Sequence, residues 1–277
     1  LYLILFTLLV MSCMATADMT ASVDGHHTAD GFRNPWPGFE SHGFREFLRW
    51  VLIERRSTRD SIPDPDYRYE TRRTDRGFPP LSDGVMTVTW IGHSTSLVRI
   101  GGTSVLIDPV WSDRASPVSW AGPSRVNPPG IPIDELPVLD AVLISHNHYD
   151  HLDIPTLQRL GGNPVFIVPL GVGETLERHG IANVRELDWW ESTDVRGTVI
   201  TATPAQHFAS RGLFDRNETL WCGFTVRGGG RSAYYAGDTG WFPGFAEIGR
   251  RLGPFDALLI PIGAWLPEWF MGPVHTG

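Results

Sequence analysis

Lysine is missing altogether: all 23 basic residues of this 277-residue chain are arginine. A codon-biased genome accounts for that better than function does, although arginine is the better bidentate partner for a phosphate. Cysteine is nearly missing too, and Cys13 and Cys222 stand too far apart in sequence to read as a disulfide framework. Positive charge is in deficit, with 31 acidic residues giving a net charge of −8, which argues against general nucleic-acid binding. No apolar run is long enough to cross a membrane comfortably, and no internal repeat is visible. What the chain does have, 42% hydrophobic residues and 11 tryptophans, excludes disorder. Its length suits one large domain or a domain with an extension.

The stretch Leu1–Val10 is a short apolar run, and Met11-Ser12-Cys13 follows it. The run resembles the hydrophobic region of a secretory signal, and Val10-Met11-Ser12-Cys13 loosely resembles the processing box of a bacterial lipoprotein, with Cys13 lipidated. A charged leader and an initiating Met are absent. Residues 1–25 are therefore expected to export or anchor the protein in a bacterial cell envelope, as a periplasmic, peripheral or lipid-anchored species. Residues 26–84 read as an N-terminal extension, small and polar as far as Gly31. In it Phe44, Phe47, Leu48, Val51 and Leu52 fall at helical spacing, with Arg45, Arg49, Arg55 and Arg56 on or near the other face. That stripe predicts a helix packed on its own domain, an anionic membrane surface being the alternative. Ser57 to Ser82 reads as an irregular connection.

From Val85 to Gly277 the texture is that of a main domain. Short β-rich runs cover Val85–Trp90, Ser96–Ile100, Thr103–Ile107, Ala141–Ile144, Val165–Val168, Thr198–Thr203, Leu220–Val226, Ala233–Ala236 and Ala257–Pro261. Helices are predicted after Asp153, as an N-cap with Pro155 in the first turn, from Gly173 to His179, and from Phe245 to Leu252. Mixed strands with interspersed helices predict an α/β sandwich.

The most informative segment follows one of those strands. His146-Asn147-His148-Tyr149-Asp150-His151 places four metal-capable side chains within six positions. Imidazole nitrogen and carboxylate oxygen together suit zinc and similar divalent metals. In extended chain His146 and His148 point the same way, and a turn can aim Asp150 and His151 at an adjacent point. One metal cannot comfortably use all four, whereas two neighbouring metals can. His207 ends the run Val199–Thr203, and Asp238 ends Ala233–Ala236 in Gly237-Asp238-Thr239-Gly240. Strand ends are where loops gather into a site.

The order His-x-His-x-Asp-His, then His, then Asp resembles the metallo-β-lactamase superfamily. Within it the likeness is nearest to the N-acylphosphatidylethanolamine-hydrolysing phospholipase D family. Further phrases carry that likeness: Phe32-Arg33-Asn34-Pro35-Trp36-Pro37, Trp90-Ile91-Gly92-His93-Ser94-Thr95, Asp108-Pro109-Val110-Trp111-Ser112-Asp113, Glu186-Leu187-Asp188-Trp189-Trp190-Glu191 and Ile260-Pro261-Ile262-Gly263-Ala264-Trp265. The resemblance implies an αβ/βα four-layer sandwich holding two zinc ions. It implies that His146, His148 and His207 hold the first metal, that Asp150 and His151 hold the second, and that Asp238 bridges them, with a hydroxide between as nucleophile. His275 matches a family histidine near the substrate head group, although spacing alone would also nominate it as a metal ligand. The family's last ligand lies in a His-Trp-Gly-Thr phrase expected beyond Gly277, so the C-terminal part of the domain is expected to be missing. His93 and Asp108 read as groups that orient ligand imidazoles, and Arg114 and Arg125 as phosphate contacts or plain surface charges.

The resemblance makes a phospholipase D-type phosphodiesterase the leading expectation, with Asp150, Asp238 and His275 as its catalytic side chains and N-acylphosphatidylethanolamine or a related phospholipid as substrate. The alternatives are a hydrolase of another substrate, such as a lactone or β-lactam, and a non-catalytic metal-dependent binding module. An apolar groove leading to the metals would favour a lipid; a small closed polar pocket would favour the other hydrolases.

Overall fold

A computed structural model describes residues 25–39, 42–54, 77–212 and 214–276. The leader reading of residues 1–24, with Cys13, and most of the Ser57–Ser82 connection lie outside the described residues.

Two sheets face each other. The first has strand order β3-β4-β5-β6-β7-β8, built from Thr87–Gly92, Thr95–Ile100, Thr103–Ile107, Ala141–Leu143, Val165–Pro169 and Val184–Leu187. β3, β4 and β5 form an antiparallel meander, and β5 to β8 run parallel. Parallel neighbours need crossover connections: α2 (Ile154–Leu160) joins β6 to β7, and α3 (Val172–Arg178) joins β7 to β8. The second sheet has the order β13-β12-β11-β10-β9, from Ala257–Leu259, Arg231–Tyr235, Gly223–Gly228, Thr198–Thr203 and Ser192–Val195. Its single parallel pair, β12 with β13, is crossed by α4 (Gly244–Leu252).

Alternation of side chains explains the layering. In the first sheet Val98, Ile100, Val105, Ile107, Leu143 and Ile167 meet Ile200, Ala202, Phe224, Val226 and Ala233 of the second. The intervening Leu97, Leu106, Val142, Phe166 and Val168 point the other way, onto Leu157 of α2 and Val172 and Leu176 of α3. Ile248 of α4 packs behind the second sheet. The result is the expected helix–sheet–sheet–helix sandwich. The sheets also meet at two hairpin tips, Gly101 (φ 57°) and Gly229 (φ 55°), so close that a Cβ on Gly101 would lie 2.8 Å from the Gly229 nitrogen. Only glycine fits both the conformation and the approach.

An N-terminal strap lies against this sandwich. The two-residue strands β1 (His27–Thr28) and β2 (Gly31–Phe32) pair, Phe32 N donates to Asn217 O, and Trp36 is buried in the inter-sheet core. Next comes α1 (Phe44–Arg49), which passes into a π-helical turn, Trp50–Glu54. Trp50 stacks on Phe270 of α5 (Glu268–Met271), whereas Leu52, a member of the expected packed stripe, is exposed, as is Ile53. Among the described residues no helix is long and apolar enough to cross a membrane.

Several boundaries differ from expectation for identifiable reasons. Leu220 and Cys222 are buried but precede β11, because their N–H groups bond Leu170 O and Ser145 O in neighbouring loops. Asp153 sits at the N-cap of α2, yet its carboxylate accepts from Trp111 N, Ser112 N, Ser112 Oγ and Thr156 Oγ1, tying down the loop after β5 instead of capping.

Candidate metal centre

The site forms where strand ends meet. His146 to His151 occupy the loop after β6, His207 follows β10, Asp238 follows β12, and His275 follows α5. The structure brings all seven sequence-nominated residues, Asp150 and His275 included, to one place. His146 Nε2 lies 2.8 Å from His148 Nδ1, and His207 Nε2 lies 3.3 Å from it. Beside that trio His151 Nε2 is 3.2 Å from Asp238 Oδ2 and 4.0 Å from Asp150 Oδ2. His275 Nδ1 stands 3.8 Å from Asp238 Oδ2. Four overlapping groups, His146–His148–His207, His146–His151–Asp238, His93–Asp150–His151 and His207–Asp238–His275, each hold their ligand atoms within 4.8 Å of one another.

The outer hydrogen bonds decide which nitrogens face inward. His207 Nδ1–H donates to Val274 O, leaving its Nε2 as a lone pair. His151 Nδ1–H donates to Asp108 Oδ2 at 2.7 Å, so its Nε2 also faces the cluster. His146 Nδ1–H donates to Ser145 Oγ, whose own hydroxyl donates to Asp108 Oδ2 at 2.6 Å. Asp108, fully buried, further accepts from Ser145 N and the Tyr235 hydroxyl. One carboxylate thus fixes two imidazoles, the orienting role expected of it. His93 instead meets a carboxylate, with Nε2 3.1 Å from Asp150 Oδ2.

Electrostatics fit a cation. Burial pushes His146 and His207 well below the ordinary histidine range and His148 down to about 4, which keeps these rings neutral, the ligand form. Burial acts against a proton on His151 as well, but Asp238, Asp150 and Asp108 outweigh it and raise His151 well above its usual value. Burial would likewise raise Asp238 and Asp150, yet the facing His151 holds both low. The surplus negative charge that keeps a proton between His151 and Asp238 would equally hold a divalent cation there, and the three imidazole nitrogens surround a second such point.

The supporting residues were mostly not legible beforehand. Ser145 follows the apolar run Ala141–Ile144 and Tyr235 lies inside another, and neither carries a motif of its own. Arg211 donates to the carbonyls of Asn147 and Leu152 and lies over the Tyr149 ring, bracing the histidine loop. Asn34 Nδ2 donates to His207 O. Arg114 and Arg125 both turn inward to loop carbonyls, of Gly122 and of Val110 and Ser112 respectively. Gly240 lets the segment bearing His275 approach: a Cβ there would lie 2.2 Å from Pro273 O. A cavity of about 390 Å³ opens alongside, lined by Pro37, Phe39, Gln206, Trp241, Trp269 and Pro273 among others.

Comparison with known proteins agrees with this geometry. Residues 103–277 match the model of the beta-lactamase superfamily domain. An N-acyl-phosphatidylethanolamine-hydrolyzing phospholipase D of Caenorhabditis elegans is 44% identical over 207 residues, 70% of this chain and 58% of that protein. The chain therefore spans less than two thirds of that relative's length. A metal-dependent hydrolase of Methanopyrus kandleri is 33% identical over 194 residues, covering 68% of this chain and 75% of that protein. Among solved structures, a possible metal-dependent hydrolase of Veillonella parvula shares the fold, with a TM-score of 0.56 at 21% identity over 69% of this chain and 78% of that one. The chain belongs to the metallo-β-lactamase superfamily and is similar within it to the N-acylphosphatidylethanolamine-hydrolysing phospholipases D.

Proposed function

We propose that the protein is a zinc-dependent phosphodiesterase of the phospholipase D type, acting on N-acylphosphatidylethanolamine or a related phospholipid. The observation that carries this reading is the pair of adjacent ligand groups joined through His146, with Asp238 and Asp150 facing His151. His146, His148 and His207 would hold one zinc ion, Asp150 and His151 the other, and Asp238 would serve both.

When bound, two such ions supply Lewis acidity, lowering the pKa of a water in the site to roughly 7 and neutralising phosphate charge. The chain's own groups do the positioning. Asp150 and Asp238, both held ionised, accept hydrogen bonds from the attacking water and orient it. His275 stands beside Asp238 and His207, where its ring could donate to a phosphate oxygen or to the departing alkoxide. The phosphorus–oxygen bond to the N-acylethanolamine breaks as the water oxygen joins phosphorus, and the water's protons end on the alcohol product and the solvent.

The neighbouring cavity, with Phe39, Trp241 and Trp269 in its wall, supports a lipid substrate. Trp241 is 78% exposed at its rim, the placement expected of an aromatic side chain that meets a membrane interface, and it supports peripheral membrane association. The test is release of N-acylethanolamine and phosphatidic acid by zinc-loaded protein. Asp238→Asn should lower turnover by several orders of magnitude, since one change disturbs both metal positions and the water. His275→Ala should keep the metals and lower turnover more modestly. Fully metallated protein that opens lactones or β-lactams but cleaves no phospholipid would refute the reading.

A further inference from the structure

A second constellation of ligand-type side chains lies away from this centre. His26 Nε2 meets Asp188 Oδ1 at 2.7 Å, and His27 Nε2 meets Asp188 Oδ2 at 2.8 Å. The three side chains keep one ligand atom each within 4.8 Å of the others. We propose that His26, His27 and Asp188 form a third divalent-metal site, for a zinc-class cation, which clips the N-terminal strap onto the β8–β9 connection.

Four features support a site over a chance contact. The donor set is two imidazoles and one carboxylate, a mixture that borderline first-row metals accept. Both rings present the same nitrogen to one carboxylate although the residues are adjacent in sequence, their centroids 4.3 Å apart. The geometry is preorganised: His26 stacks on Trp189 at 4.2 Å, and Asp188 is fixed by Trp189 N donating to Oδ1 and by its own N–H donating to Glu191. Access is also present, because His26 is buried while the His27 side chain is 52% exposed, so an ion can enter and water can complete its shell. Without metal, each ring donates its Nε2 proton to Asp188. On binding, the nitrogen lone pair of each ring would turn to the cation in place of that proton.

The clip has a route to the main centre. His26 O accepts from Arg33 N at the start of the strap, and the next residue, Asn34, donates to His207 O at 2.7 Å. Trp36 then packs against Trp189 and Phe242. A cation at His26 and His27 would thus stiffen the segment that braces a ligand of the main site.

His27→Gln separates a metal site from a hydrogen-bonded clip, because the glutamine amide can still donate to Asp188 but is a poor ligand for zinc. Zinc titration against a chromogenic chelator should show wild-type protein binding one equivalent more than His27→Gln, and its melting temperature should rise more on zinc addition. Asp188→Asn, as a second variant, should lose the same equivalent. Equal zinc counts and equal zinc-induced melting shifts in wild type and His27→Gln would overturn the proposal and leave a hydrogen-bonded clip.

Discussion

Asp108 is the hydrogen-bond hub beneath the candidate centre. Four donors converge on its buried carboxylate: Ser145 N, Ser145 Oγ, Tyr235 Oη and His151 Nδ1. An amide cannot accept from all four, since its own NH2 would face a donor. Asp108→Asn should therefore leave His151 and, through Ser145, His146 less firmly oriented. Metal affinity is expected to fall about 10–100-fold, the usual cost of losing a group that orients a ligand; chelator competition measures it, and an unchanged affinity would count against this role. Ser145→Ala should act more weakly and chiefly on His146. The side chains that the structure gathers into the candidate centre were nominated in the sequence by their types and spacing. Asp108 was legible only through a family phrase, and Ser145 and Tyr235 not at all, because a hydroxyl in a β-run has no pattern to give it away.

At the scale of elements, two devices hold the loops in register. Arg211 ties the loop after β10 to the histidine loop through the Asn147 and Leu152 carbonyls. Arg211→Ala should cost about 1–3 kcal/mol in urea unfolding, the price of leaving buried carbonyls unpaired, and should weaken metal binding at the imidazole trio. Gly240→Ala would push a methyl into Pro273 O. It should destabilise by about 1–3 kcal/mol and displace His275 while the six ligand side chains stay in place; unaltered stability would show that segment 273–275 is free to move. Strands with β-branched alternation, such as β4, β5 and β10, could be read directly. β8 and β9 could not, because Val184-Arg185-Glu186-Leu187 and Ser192-Thr193-Asp194-Val195 are polar and partly exposed and earn their pairing only from neighbours. The stripe at 44–52 predicts one helix, but the turn becomes π-helical at Trp50 and carries Leu52 outward.

For the whole molecule, the sandwich does two things: it buries an apolar core on both faces of the first sheet, and it delivers six candidate ligand side chains to one place from the ends of β6, β10 and β12. Stability and metal content are then coupled, because a cation that binds only the folded chain stabilises it by mass action. Stripping metal with a chelator should lower the melting temperature, and zinc should restore it. The most direct measurement is elemental analysis of zinc-saturated full-length protein, with the second-metal ligand expected beyond Gly277, in the His27→Gln background, which removes the strap site from the count. The account predicts about two zinc equivalents per chain there, falling when Asp238→Asn is added. A single tight equivalent, unaffected by Asp238→Asn, would contradict the two-metal centre.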